Sequence, residues 1–266
     1  MTVPRVMILT GHGLNCEQET AQAFSLAGAQ ARLLHLNDFF ADPSVLSEFH
    51  VLAFVGGFSY GDHIAAGTVL ATQFRTHARD SLEEFIGDGK LVLGICNGFQ
   101  ALVKMGLLPG LHGDYSTQTA TLMANDSGKF EDRWVSLKSN PDSPCIFTKS
   151  LDFLELPVRH GEGKLFAEDP VLDLLAAEHL IPLVYVNPDG TPATTYPRNP
   201  NGSLLSAAGL CDPTGHIFGL MPQPEAYLTP YHYTTWTRQA CDGTLPQEGA
   251  GMALFRNAVE YAKKTF

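Results

Sequence analysis

The first hundred residues alternate short apolar runs with stretches whose apolar positions recur every three or four residues. Residues 5–10, 31–36, 51–55 and 91–95 are apolar runs of strand length, while 17–26 and 69–86 carry helical spacing. Runs this short and this apolar read as strands buried on both faces. Their alternation with helices predicts right-handed βαβ units around a mainly parallel sheet.

After Gly113 the rhythm changes. Residues 119–124, 134–138, 154–158, 181–186, 204–210 and 216–221 read as strands, with helices at 171–179 and 251–264. Strands with few helices between them imply antiparallel or mixed pairing added to the same core. No internal repeat and no Gly/Ser/Pro-rich linker divides the chain, so residues 1–266 read as one domain. The expected architecture is α/β in three layers: a mainly parallel central sheet with helices on both faces and antiparallel strands added in the second half.

The junction at Cys96 turns this fold into a site. In Leu91-Val-Leu-Gly-Ile-Cys-Asn-Gly-Phe-Gln-Ala-Leu-Val103 a buried strand runs into Cys96 and a helix follows at once. Gly94 and Gly98 flank the cysteine at two residues to either side, which permits a sharp, strained turn. Such a turn raises the sulfur at the carboxyl ends of the strands, where open α/β sheets bind ligands. The helix N-terminus favours thiolate, and the Asn97 N–H points to where an oxyanion would form. A buried cysteine at a strand–helix junction, with glycines serving close packing, is the plainer reading. Phe54-Val-Gly-Gly-Phe-Ser-Tyr-Gly-Asp62 weighs against it, because this loop follows another parallel strand and opens on the same sheet edge. Its glycines free N–H groups to aim at a carbonyl oxygen.

Charge and composition narrow the chemistry. Lys and Arg number 17 against 28 Asp and Glu, a net charge of −11 at pH 7, which argues against a nucleic-acid partner. Cys16, Cys96, Cys145, Cys211 and Cys241 are widely spread, odd in number and without a CxxC pair. Neither a disulfide framework nor a zinc site is implied, and no metal is expected. The start lacks signal-peptide features, and no apolar stretch approaches the ~18 residues of a membrane span. A cytoplasmic location is the expectation.

Gly94-Ile-Cys-Asn-Gly-Phe-Gln100 resembles the nucleophile motif of the class I (triad) glutamine amidotransferases. Gly56-Gly-Phe-Ser-Tyr-Gly-Asp62, Gly106-Leu-Leu-Pro-Gly110, Arg159-His-Gly-Glu-Gly-Lys164 and Asn199-Pro-Asn-Gly-Ser203 extend the likeness. Together they are similar to the glutaminase subunits of phosphoribosylformylglycinamidine synthase, in family order from Gly13-Leu-Asn-Cys16 to Leu254-Phe-Arg256. The resemblance implies glutamine hydrolysis through a γ-glutamyl thioester on Cys96. It places the Gly57, Phe58 and Asn97 amides near the oxyanion, gives Gln100 a hold on the glutamine, and puts His160 near the site or the partner face. It also implies that ammonia passes to a separate ATP-dependent synthetase subunit of purine biosynthesis, which amidates formylglycinamide ribonucleotide. ATP and magnesium would belong to that subunit; this chain has no GxxxxGK[ST] run, and no cofactor is expected on it.

One position departs from the family. Its base and orienting acid lie in a Pro-His-Pro-Glu run, whereas this chain reads Met221-Pro-Gln-Pro-Glu-Ala226. Glu225 is in place, but Gln223 stands where the histidine is expected. An amide cannot take a proton near pH 7, and general acid–base assistance is worth about 10²–10⁴-fold. Two readings follow: another base, His232 or His160, reaches Cys96; or the chain is a catalytically impaired or inactive amidotransferase-like subunit that acts as a binding partner. A protease-like cysteine hydrolase on the same fold is weakened by the purine-subunit motifs. Glu162 reads as a network partner for a loop, and Cys16 as structural.

Overall fold

In the computed structural model, which describes residues 2–266, the apolar runs of the first half become strands in the expected order. The elements are β1 (Arg5–Thr10), α1 (Glu17–Leu26), β2 (Gln30–His35), α2 (Leu36–Ala41) and β3 (Val51–Phe54). They continue with α3 (Thr68–His77), α4 (Arg79–Gly87), β4 (Leu91–Ile95) and α5 (Asn97–Met105). β1 pairs in parallel with β2 and β3, and β3 with β4. Every position of β3 and β4 is buried, as strands covered on both faces require.

Two boundaries moved for local reasons. The expected strand at 31–36 stops at His35, whose ring accepts a hydrogen bond from Asn37 N at 3.1 Å and caps α2. The single helix expected at 69–86 is two. Ala78, at φ −135° and ψ 15°, leaves the helical region, and the segments on either side bury separate sets: Leu70, Ala71 and Phe74, then Leu82 and Phe85.

The second half adds β5 (Ala120–Ala124), β6 (Glu131–Ser139), β7 (Phe153–His160), β8 (Glu162–Ala167) and α6 (Asp169–Ala177). Then come β9 (Leu183–Tyr185), β10 (Gly209–Cys211), β11 (Ile217–Leu220), α7 (Trp236–Cys241) and α8 (Met252–Thr265). Only β10 and β11 join the central sheet, whose order is β10-β11-β4-β3-β1-β2. β11 runs parallel to β4, and β10 is the antiparallel edge. The remaining strands form a β5–β8 pair and a β7–β6–β9 sheet beside it.

The expected strand at 204–210 is a correction. Leu205 and Ser206 both sit at φ +54°, so a 3-10 turn at Leu204–Ser206 precedes β10. β8 and α7 were not foreseen; α7 buries no residue, so no apolar pattern marks it.

Helices pack around the central sheet. α1 meets α8 through Phe24 and Phe255, whose rings lie edge-on with centroids 5.0 Å apart. Phe54 of β3 packs on Phe74 of α3 at 4.7 Å, and burying each such ring is worth about 1.5–3 kcal/mol. That contact fixes α3 against the sheet just behind the loop that begins at Val55. Buried apolar residues from Val6 to Ala262 form one cluster. No helix of the described residues is long and apolar enough to cross a membrane.

Candidate active site

Cys96 sits between β4 and α5 at φ 53° and ψ −107°, a backbone conformation that costs a non-glycine residue about 1–3 kcal/mol. Both of its peptide groups are held. Its N–H donates to Leu220 O at 2.8 Å, and its carbonyl accepts from Gln100 N at 3.1 Å. The flanking glycines are sterically required. A Cβ on Gly94 would lie 2.6 Å from Leu102 Cδ1, and one on Gly98 would collide with the Phe54 carbonyl.

The thiol is enclosed. Burial pushes it up to about 11, and the Glu225 carboxylate adds to this. The Gln223 amide, the Asn97 N–H and the Arg159 guanidinium pull the other way. The sulfur's hydrogen-bond acceptor is Arg159 O at 3.6 Å. At neutral pH the resting group is therefore a thiol.

Two cavities meet at this residue. One of about 330 Å³ is lined by Asn15, Cys16, Glu19 and Gln223 together with Cys96. The other, of about 190 Å³, is lined by Asp62, Gln100, His160 and Glu162, again with Cys96. Gly57, Phe58, Phe130 and Arg159 border both.

The Gly-Gly loop is tied to the elbow through the buried Asn97 side chain. Its Oδ1 accepts from Ser59 N at 3.1 Å, while its Nδ2 donates to Asp62 Oδ1 at 3.0 Å and Gln100 Oε1 at 2.9 Å. Of the three amides expected near an oxyanion, that of Phe58 is already used: it donates to Gly13 O at 2.8 Å. Phe58 instead presents a ring that is 49% exposed and walls both cavities. Among the described residues the Gly57 N–H has no backbone acceptor, and the Asn97 N–H faces the Cys96 sulfur. Gln100 lines the smaller cavity with Nε2 donating to Glu162 O at 2.7 Å. Glu162 in turn accepts from Ala66 N at 3.3 Å, so it does tie a loop.

The rest of the expected triad lies behind the sulfur. Gln223 and Glu225 are both buried. Glu225 is pushed up to about 7 by burial, against the pull of Arg159. His160 is also buried, and burial holds it down at about 4. Asn125 Nδ2 donates to the carbonyls of Lys129 and His160, which leaves Asn125 Oδ1 as acceptor for His160 Nδ1 at 3.0 Å. His160 is thus a neutral Nδ1–H tautomer. His232 is exposed and accepts from Leu228 N at 3.4 Å, and it lines neither cavity. Among the described residues no histidine nitrogen hydrogen-bonds the Cys96 sulfur; His160 shares the smaller cavity with it, and His232 does not.

Arg159 escaped the sequence reading although it begins the motif that contains His160. The structure sets it between Cys16, Gln223 and Glu225. A cation in that motif was the signal available. Among the described residues no group of three or more His, Cys, Asp or Glu side chains is placed to hold a metal ion.

Comparisons with known proteins bear on the family and the fold. Residues 3–262 match the family model for the CobB/CobQ-like glutamine amidotransferase domain. The chain is 43% identical to the phosphoribosylformylglycinamidine synthase subunit PurQ of Dehalococcoides mccartyi, covering 99% of this chain and all of the relative. It is 39% identical to the PurQ subunit of Methanococcus maripaludis, over 98% of each chain. Among solved structures it superposes on a chain of the Thermotoga maritima PurLQS structure with a TM-score of 0.70 and 27% identity, over 98% of this chain and 99% of that one.

Proposed function

This chain belongs to the CobB/CobQ-like glutamine amidotransferases, among the PurQ glutaminase subunits of phosphoribosylformylglycinamidine synthase, and we propose that it hydrolyses glutamine through a γ-glutamyl thioester on Cys96. The side-chain carboxamide of glutamine enters the smaller cavity past Gln100. The Cys96 sulfur attacks its carbonyl carbon, and the oxygen takes up negative charge opposite the N–H groups of Gly57 and Asn97. The thiol proton ends on the amide nitrogen, the C–N bond breaks and ammonia leaves; water then adds to the thioester, giving glutamate and restoring the thiol. The ammonia passes to an ATP-dependent synthetase subunit in the cytoplasm, where it amidates formylglycinamide ribonucleotide; ATP and magnesium act on that subunit.

The observation that carries this reading is the placement of Cys96: on a strained elbow, at the meeting of two cavities that Gly57 also lines, next to the Asn97 N–H and near a buried carboxylate. Preorganised N–H donors of this kind act where charge develops during reaction. The test is glutamate release from glutamine by the chain mixed with a purine-pathway synthetase subunit. Turnover that Cys96→Ala abolishes supports the proposal; turnover that survives the substitution rejects it.

A second reading has its own observation. Gln223 stands where proton transfer would occur, and the sulfur's acceptor is a backbone carbonyl. On this reading the chain is an impaired or inactive glutaminase that serves as a binding partner of the synthetase. Absence of glutamate release together with a stable complex would favour it.

A further inference from the structure

The atom 2.6 Å from Arg159 Nε is Gln223 Oε1, and this assignment is forced, because a guanidinium nitrogen can only donate. With its oxygen held there, the amide must turn its NH2 the other way. Gln223 Nε2 approaches Arg159 O at 3.4 Å, and the Cys96 sulfur approaches the same carbonyl at 3.6 Å. The two groups therefore converge on one point.

We infer that Arg159 is a positioning residue for Cys96: its Nε–H locks Gln223 so that the amide NH2 faces the sulfur as a fixed donor. This rests on the reading of Cys96 as the nucleophile. A donor locked in this way stabilises thiolate without itself gaining or losing a proton. It replaces part of what an imidazolium would contribute, namely charge stabilisation of the sulfur, and none of the proton transfer. The backbone of Gln223 is anchored as well, with its N–H on Pro157 O at 2.8 Å. Both ends of the residue are thus fixed by β7, the strand that carries Arg159.

Other titratable groups surround the sulfur. Glu225 follows β11, and Cys16 precedes α1 with its thiol pushed up to about 12 by burial. Glu19 on α1 faces Cys16 and Glu225, and Tyr185 on β9 is a buried hydroxyl raised by desolvation. Glu225 is the one of these that changes charge near neutrality, and removing Arg159 would also shift it. The experiment must hold it constant.

The test measures carbamidomethylation of Cys96 by iodoacetamide against pH, resolved by peptide mass spectrometry, in full-length chains carrying Glu225→Gln. Arg159→Met should raise the midpoint of the profile by about one pH unit, roughly a tenfold slower reaction on the rising limb. In a chain that also carries Gln223→Leu, the same substitution should move the midpoint far less, because nothing remains to be locked. No shift with Arg159→Met, or an equal shift with and without Gln223, overturns the inference. If Arg159→Met does not melt cooperatively, Arg159→Gln gives the same comparison. Alkylation consumes no glutamine, so the outcome is separate from whether the chain is an active glutaminase.

Discussion

Arg159 Nη2 lies 3.7 Å from Glu225 Oε1, and the carboxylate it faces is fully enclosed with neither oxygen in a hydrogen bond of normal geometry. An ionised carboxylate in such surroundings is costly unless paired and hydrogen-bonded. This ion pair is long, which is why burial still pushes Glu225 up to about 7 against the pull of the guanidinium. Glu225 thus sits buried behind Gln223, at the position where the family resemblance expects an orienting acid and its imidazole.

Gln223→His should supply that imidazole. Pro222 and Pro224 flank the position and the Gln223 N–H is held by Pro157 O, so the new side chain starts from the same backbone. The expected outcome is a glutamate-release rate higher by about 10²–10⁴-fold, the usual worth of general acid–base assistance. Steady-state assays at saturating glutamine measure it. A rate equal to wild type would show that proton transfer does not limit this site.

Glu225 also sets a stability slope. Its folded-state pKa is raised from 4.5 to about 7, so the folded chain binds this proton more tightly than the unfolded one. The neutral form carries no penalty below pH 4.5; stability falls as pH rises from there through 7. Glu225→Gln should therefore stabilise the protein at pH 8 by about 3 kcal/mol relative to wild type, and by little at pH 4.5. Urea unfolding at the two pH values reads the difference.

The elbow was legible in sequence because its determinants are local: an apolar run, a cysteine and glycines two residues to either side. β1, β3 and β4 were legible for the same reason, as buried strands that show in any window. What escaped detection depends on distant segments. Asn97 reaches Ser59 and Asp62 across 38 and 35 residues, and Arg159 reaches Gln223 across 64. The partner of the Phe58 amide was not legible because that acceptor, Gly13 O, arrives from the loop after β1. Apolar spacing marks strands but not their partners, so the division of the second half into separate small sheets was not legible either.

His160 should give a slope opposite to that of Glu225. Burial lowers it from 6.5 to about 4, so the unfolded chain takes up this proton first as pH falls. Its contribution is present above pH 6.5 and is lost as pH drops through 4, by about 3 kcal/mol in full. The Glu225 and His160 slopes oppose each other between pH 4.5 and 6.5. Wild-type stability should vary less across that window than that of either variant. Glu225→Gln should expose stability that rises with pH, and His160→Gln stability that falls. Denaturation midpoints across the window check both signs.

Two glycines separate a steric requirement from mere tolerance. A Cβ at Gly98 would lie 2.6 Å from the Phe54 carbonyl carbon and 2.7 Å from Phe54 Cβ, in a strand with no room to yield. Gly98→Ala should therefore destabilise by about 3 kcal/mol or more, as overpacking a close-packed interior does. It should also slow Cys96 alkylation in whatever fraction stays folded, because the elbow cannot keep its turn. Gly87 ends α4 with nothing within 4 Å of a built Cβ. Gly87→Ala should stabilise by about 0.5 kcal/mol by restricting the unfolded chain. Thermal melting of the two variants in parallel tests both, and a Gly98→Ala chain as stable as wild type would mean that Phe54 and α5 are not in the close contact on which the elbow depends.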